Sequence, residues 1–152
     1  MNKDEAYKWA AKRIRAQVLR SINQKATLGN TSAILKEYFP NYLWVGFYFV
    51  NTNHLLLGPF QGPPACIKLD TRQGVCAFCV EKKETVIVPN VHEFPGHVPC
   101  DDRSNSEIVV PVFDKSGDIK AVLDVDSEKF NDFDDTDARG LEAVAALLTE
   151  IM

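Results

Sequence analysis

Cys66, Cys76, Cys79 and Cys100 are the residues of this chain best suited to act as nucleophiles, redox centres or soft metal ligands. An even set of thiols reads as a disulfide framework in a secreted chain and as metal or redox chemistry in a cytosolic one. The first residues, Met1-Asn2-Lys3-Asp4-Glu5-Ala6-Tyr7-Lys8, are charged and open no apolar stretch of signal-peptide length. A cytoplasmic location is therefore expected, with the thiols serving as catalytic, metal-binding or packing residues. One zinc-like spacing is present: Cys76-x2-Cys79, twelve residues, then His92-x4-His97. A finger of that kind needs both histidines on one helix face, and Pro95 and Gly96 between them disfavour a helix. The segment Val86-Ile87-Val88-Pro89 reads as a strand entering a loop, and both cysteines fall on a predicted helix rather than in a β-hairpin knuckle. No metal is expected.

The thiols are not equivalent. Cys79, between Phe78 and Val80, reads as a small buried hydrophobe. Cys100 sits in a loop and is followed by Asp101-Asp102-Arg103-Ser104, a setting of partial exposure and nearby polar groups that suits a reactive thiol. His97 and Arg103 are the nearest candidate cations by sequence, and the aspartates oppose them. Carboxylates supply a second chemistry. On the strand Ala121-Val122-Leu123-Asp124-Val125-Asp126 the two aspartates share one face while Leu123 and Val125 share the other. Residues 101–137 hold twelve acids against four bases, and Glu107 opens the neighbouring strand. Such acids are either solvated positions on an open sheet face or a converging cluster. A converging cluster suits an ammonium-bearing ligand, and mutual repulsion raises one pKa enough to make a proton donor near neutrality. Trp44 and Tyr48, four residues apart on a strand, share a face and can wall such a pocket.

The elements that must position these residues follow from pattern. With 21 acidic and 17 basic side chains, net charge −4, 45% apolar and 25% charged residues, the 152-residue chain reads as one soluble globular domain spanning 1–152. The acidic total argues against general nucleic-acid binding. The longest near-continuous apolar run, Leu43 to Val50, falls far short of the roughly 20 residues of a membrane span. Residues 1–25 read as an amphipathic helix with a stripe of Tyr7, Ala11, Ile14, Val18 and Ile22 and seven basic against two acidic side chains. A second helix is expected from Thr31 or Ser32 to about Phe39, where Pro40 stops it. Hairpins are expected at Leu43–Val50 with His54–Phe60 and at Glu107–Phe113 with Ile119–Asp126. Between them the pattern predicts a strand at Cys66–Leu69, a helix at Gly74–Lys83, a strand at Thr85–Val88 and a long loop at Pro89–Asp102. The last helix begins after Phe133 with Asp134 as cap, and buries Leu141, Val144, Leu148 and Ile151. The result is an α+β domain, a mostly antiparallel sheet with helices packed on one face.

Trp44-Val45-Gly46-Phe47-Tyr48, Leu57-Gly58-Pro59-Phe60-Gln61-Gly62, Ala65-Cys66, Gly74-Val75-Cys76, Asn90-Val91-His92, Gly96-His97, Cys100-Asp101, Ser104-Asn105-Ser106-Glu107-Ile108-Val109 and Val122-Leu123-Asp124-Val125-Asp126-Ser127 resemble, in order, the GAF-fold free methionine-(R)-sulfoxide reductases. The likeness runs from about Trp44 to the last helix. It implies a six-stranded antiparallel sheet with helices on one face and a ligand pocket closed by loops on the other. It further implies reduction of the R epimer of free methionine sulfoxide, with Cys100 as nucleophile, Cys66 as resolving cysteine and Cys76 as a third thiol. Trp44, Tyr48, Glu107, Asp124 and Asp126 match the substrate pocket, and Cys79 has no place in the pattern. No cofactor is implied beyond an external dithiol such as thioredoxin, and the Cys100 loop must close over the strand end carrying Cys66. The N-terminal helix is a candidate homodimer surface. The rival reading is a non-catalytic GAF module that senses a small ligand such as a cyclic nucleotide; a phosphate calls for basic residues or helix N-termini, not for a pocket of acids.

Overall fold

Helix α1 (Lys3–Leu19) starts where the Asn2 side chain accepts a hydrogen bond from the Glu5 amide at 2.9 Å, and Asp4 and Glu5 sit at the positive end of its dipole. The computed structural model describes residues 1–97 and 99–152. The helix expected over 1–25 stops at Leu19, so Ile22 leaves the stripe and stands fully exposed. Asn23 is the reason: its side chain accepts from the Ala26 amide at 2.9 Å and starts helix α2 (Gln24–Tyr38), earlier than the Thr31 or Ser32 start expected. Thr31 and Ser32, expected as the helix start, lie inside α2 with hydroxyls bonded to the carbonyls four residues back, as does Thr27.

Six strands follow: β1 (Trp44–Val50), β2 (His54–Gln61), β3 (Lys68–Asp70), β4 (Val86–Val88), β5 (Ser106–Phe113) and β6 (Ile119–Ser127). They pair antiparallel in the order β3-β2-β1-β6-β5-β4. The strand expected at Cys66–Leu69 begins two residues late, leaving Cys66 in the loop after Pro63-Pro64. Helix α3 (Val75–Lys82) joins β3 to β4, and helix α4 (Asp135–Leu148) closes the chain behind an Asp134–Asp137 capping box.

The pleat sorts the side chains into two apolar layers. Val45 and Phe47 of β1, Ile108 and Val110 of β5 and Leu123 and Val125 of β6 face α1, α2 and α4, which cover that side with Ile14, Leu28, Leu35, Leu141 and Leu148. The other side carries α3, with Val75, Cys76 and Cys79 packed among Trp44, Tyr48, Val109 and Val122. On the first side a buried polar knot ties the chain ends. Tyr7 donates to Asp137 at 2.6 Å and meets the Tyr42 hydroxyl at 2.6 Å, while Lys3 reaches the other Asp137 oxygen at 2.6 Å. No helix is long and apolar enough to cross a membrane, among the described residues.

Candidate active site

Strand register lays the floor of the site. Asp126 pairs with Trp44 on one side and Glu107 on the other, and Asp124 pairs with Gly46 and Val109. Paired residues point to the same face, so Trp44, Tyr48, Glu107, Asp124 and Asp126 rise together on the side away from α1, α2 and α4. The alternative of solvated acids on an open sheet face is therefore set aside. Gly46 is bare by necessity: a Cβ there would meet the Phe60 Cβ at 2.3 Å and the Trp44 ring at 2.8 Å. The gap lets the Trp44 indole lie between Phe60 and Tyr48, with ring centroids at 5.2 and 5.9 Å. Its Nε1 is buried with no hydrogen-bond partner among the described residues, and so is Asp124 Oδ1. Each orphan costs about 1–3 kcal/mol, which a polar ligand would relieve.

The acids behave as one coupled group. Glu107 and Asp124 are buried, while Asp126 is half-buried and accepts from the Ser104 hydroxyl at 3.2 Å. Burial pushes all three carboxyls up, and their mutual repulsion adds to it for Glu107 and Asp126. Asp124 rises less, because the Glu107 carboxyl and the Cys76 thiol donate toward it. The cluster as a whole therefore holds protons above the usual carboxylate range, with Asp124 the least raised of the three. The Cys76 thiol is itself pushed up by burial and then by the Asp124 and Glu107 charges. Sulfur and carboxylate atoms of Cys76, Glu107 and Asp124 all lie within 4.8 Å of one another.

Above this floor Cys66 and Cys100 are joined as a disulfide, Cα atoms 5.4 Å apart. Both are half-buried, in loops that meet over the sheet. The Tyr48 hydroxyl donates to the Cys66 carbonyl at 2.8 Å, so the buried aromatic also holds the Cys66 backbone. The Cys100 loop is pinned at its far end, where the Asn105 amide donates to the Ser127 carbonyl at 2.8 Å. Of the two cations nearest Cys100 in sequence, Arg103 forks onto Asp101 at 2.7 and 3.0 Å. His97 is pressed down by burial and by His92, so it faces the pocket as a neutral imidazole. The cavity holds about 660 Å³ of atom-free space, part of it open to solvent, and neither Lys nor Arg is among the described residues lining it.

A GAF domain family pattern matches residues 27–152. Free methionine-R-sulfoxide reductase of Escherichia coli is 40% identical over all of this chain and 92% of its own length. The chain belongs to the free methionine-R-sulfoxide reductase family of GAF domains. Within that family, the structure of the Neisseria meningitidis reductase in complex with its substrate superposes with TM-score 0.94 at 41% identity, covering 99% of this chain and 90% of that one. GAF domain-containing protein A of Dictyostelium discoideum is 46% identical over 97% of this chain and 92% of its own.

The GAF scaffold brings seven of the eight sequence-nominated residues to the cavity lining; the eighth, Cys66, reaches it through its bond to Cys100. The zinc-finger spacing does not assemble. Cys76 faces the acids, Cys79 is buried with its thiol on the Val109 carbonyl at 3.7 Å and its pKa pushed up to about 12, and His92 bonds Asn105 at 2.7 Å. Sequence reasoning gave no role to Ser104, Gln73 or Gly74, all of which line the cavity. Ser104, four residues from Cys100, was open to that reading, whereas Gln73 and Gly74 enter only because α3 turns its N-terminus inward.

Proposed function

We propose that this protein reduces free L-methionine-(R)-S-oxide to methionine. The observation that carries the reading is the Cys66–Cys100 bridge set over a pocket of converging carboxyls without a lysine or arginine among its described lining residues. A free amino acid presents an ammonium and a carboxylate together. Ionised Asp124 meets the ammonium, and its orphan Oδ1 gains a partner. The first turn of α3 carries neither a side-chain cap nor an acid, and Gly74 and Val75 line the pocket, so its amides face the substrate carboxylate. Trp44 and Tyr48 wall the thioether end. A residue inside a peptide lacks both charges and is not a substrate.

In the reduced enzyme the Cys100 thiolate attacks the sulfoxide sulfur. Oxygen passes to Cys100 as the sulfur gains the electron pair, and a proton from the Glu107 and Asp126 carboxyls completes cysteine sulfenic acid and methionine. The Cys66 thiol then attacks Cys100, water leaves, and the disulfide forms. An external dithiol of the thioredoxin kind exchanges with it, becoming oxidised as Cys66 and Cys100 regain their protons. Cys76, behind the acids with a raised pKa, is a slow partner in that exchange. No cofactor enters, and the cycle suits a reducing cytoplasm. Two copies associate through the exposed side of α1, where Trp9 is 45% exposed.

The test is consumption of free methionine-(R)-sulfoxide with a dithiol reductant. Cys100→Ser is expected to lose turnover at least a thousandfold; full turnover in that variant overturns the nucleophile assignment. Equal reduction of peptide-bound sulfoxide by the wild type overturns the specificity.

A further inference from the structure

Cys76, Glu107 and Asp124 offer three metal ligands at one place, with no Lys or Arg among the described residues lining the cavity around them. All three are buried, and one ligand atom from each lies within 4.8 Å of the other two. Asp124 Oδ1 is buried without a hydrogen-bond partner among the described residues, so one lone-pair site there is unfilled. The lining of the cavity holds no Lys or Arg among its described residues, and His97 is its one basic side chain there. An ammonium group explains the carboxylates. It gains little from a sulfur, which is a weak hydrogen-bond acceptor and a strong ligand for borderline and soft metals.

We infer that Cys76, Glu107 and Asp124 bind a divalent cation of the zinc class, with Cys76 as thiolate ligand, and that the bound cation shuts the pocket to substrate. Tetrahedral zinc, with bonds of about 2.0–2.3 Å, holds neighbouring ligand atoms roughly 3.3–3.8 Å apart, so atoms already within 4.8 Å of one another draw in by no more than about 1.5 Å. Side-chain rotation supplies that movement. A fourth position faces the cavity and is filled by water. Cys76 releases its proton to solvent as the metal–sulfur bond forms, and no oxidation state changes. The cation is a visitor that competes for the ammonium's place, not a participant in the reduction.

The binding test uses the oxidised protein, in which Cys66 and Cys100 are bonded to each other and Cys76 and Cys79 are the remaining thiols. Cadmium chloride is added while the ultraviolet sulfur-to-metal charge-transfer band is followed, and zinc chloride binding is measured by equilibrium dialysis. One equivalent of each metal is expected. Cys76→Ser loses the cadmium band and binds zinc at least tenfold more weakly, and Asp124→Asn weakens zinc by a similar factor. Cys79→Ser keeps both signals, and circular dichroism confirms that each variant is folded. Absence of the thiolate band in wild type, or wild-type zinc binding by folded Cys76→Ser, overturns the site. The blocking effect rests on the proposed reductase activity and is read separately: zinc raises the apparent KM, and Cys76→Ser needs at least tenfold more zinc for the same rise. Equal zinc sensitivity overturns the blockade alone, and failure to find turnover leaves the metal titration standing.

Discussion

Tyr48 shows how one side chain serves two purposes. Its ring walls the pocket beside Trp44, while its hydroxyl holds the carbonyl of Cys66 at 2.8 Å. Removing the hydroxyl in Tyr48→Phe deletes a bond worth about 0.5–1.5 kcal/mol and frees the backbone of the resolving cysteine. Disulfide formation is expected to slow by up to about tenfold, the same energy expressed as a rate. Sulfenic acid at Cys100 then accumulates and is trapped by dimedone in a single-turnover experiment, while KM changes little. A raised KM with no trapped sulfenic acid assigns the hydroxyl to substrate instead. Strand alternation made the shared face of Trp44 and Tyr48 legible, and the same parity exposed Asp124 and Asp126 as a pair. The hydroxyl's partner was not legible, because it lies 18 residues away in a loop whose path depends on the β2–β3 pairing. Cys79 was legible as a packing residue from its apolar neighbours alone.

At the scale of elements, α1 belongs to the core as well as to the surface. Ala6, Tyr7, Ala10 and Ile14 are buried on its inner side, so removing residues 1–25 would strip the core and does not isolate a dimer contact. Trp9→Glu alters the outer side alone and is expected to halve the mass seen by sedimentation; a monomeric wild type sinks the homodimer. The inner side hangs on Asp137. Asp137→Ala leaves the buried Tyr7 hydroxyl without its acceptor and takes from the Lys3 ammonium its shortest partner. The expected loss is about 2–4 kcal/mol by the cost of stranded buried polar groups, read from the urea midpoint. An unchanged midpoint would show that water replaces the acceptor. Hairpins and the α4 cap were readable because local turn residues and Asp134 decide them. The α1–α2 boundary was not, since Gly29 and Asn30 are poor helix formers and α2 forms through its packing of Leu28, Ile34 and Leu35 into the core.

Across the whole molecule, the buried acids set how stability follows pH. Glu107, Asp124 and Asp126 carry pKa values raised by burial, so the native state keeps protons that the unfolded chain, with carboxyls near about 4, has released. Their contribution to the stability of the ligand-free protein is therefore fully present below the unfolded values and is lost as pH rises through the raised ones. Asp70, Asp101 and Asp134 are lowered and act with the opposite sign, but their effect is complete once the unfolded carboxyls have ionised. Above the unfolded carboxyl range the pocket acids make stability fall with pH while His97, lowered by burial, acts with the opposite sign, and Asp126→Asn flattens the fall in a plot of Tm against pH. Parallel slopes in the two proteins would contradict this account. A raised pKa among converging acids was legible in the sequence, but the choice between convergence and an open, solvated face was not; the strand register, placing Glu107, Asp126 and Trp44 in one row, brings them under cover.

That row also gives the protein an optical reporter. Of its two tryptophans, Trp9 is exposed to water and Trp44 is enclosed between Phe60 and Tyr48 with its indole N–H unbonded. With Trp9 replaced by Phe, the remaining emission comes from the pocket alone. Its colour follows the filling of the cavity, and its intensity follows the nearby Cys66–Cys100 bridge, so occupancy and redox state can be watched from one side chain.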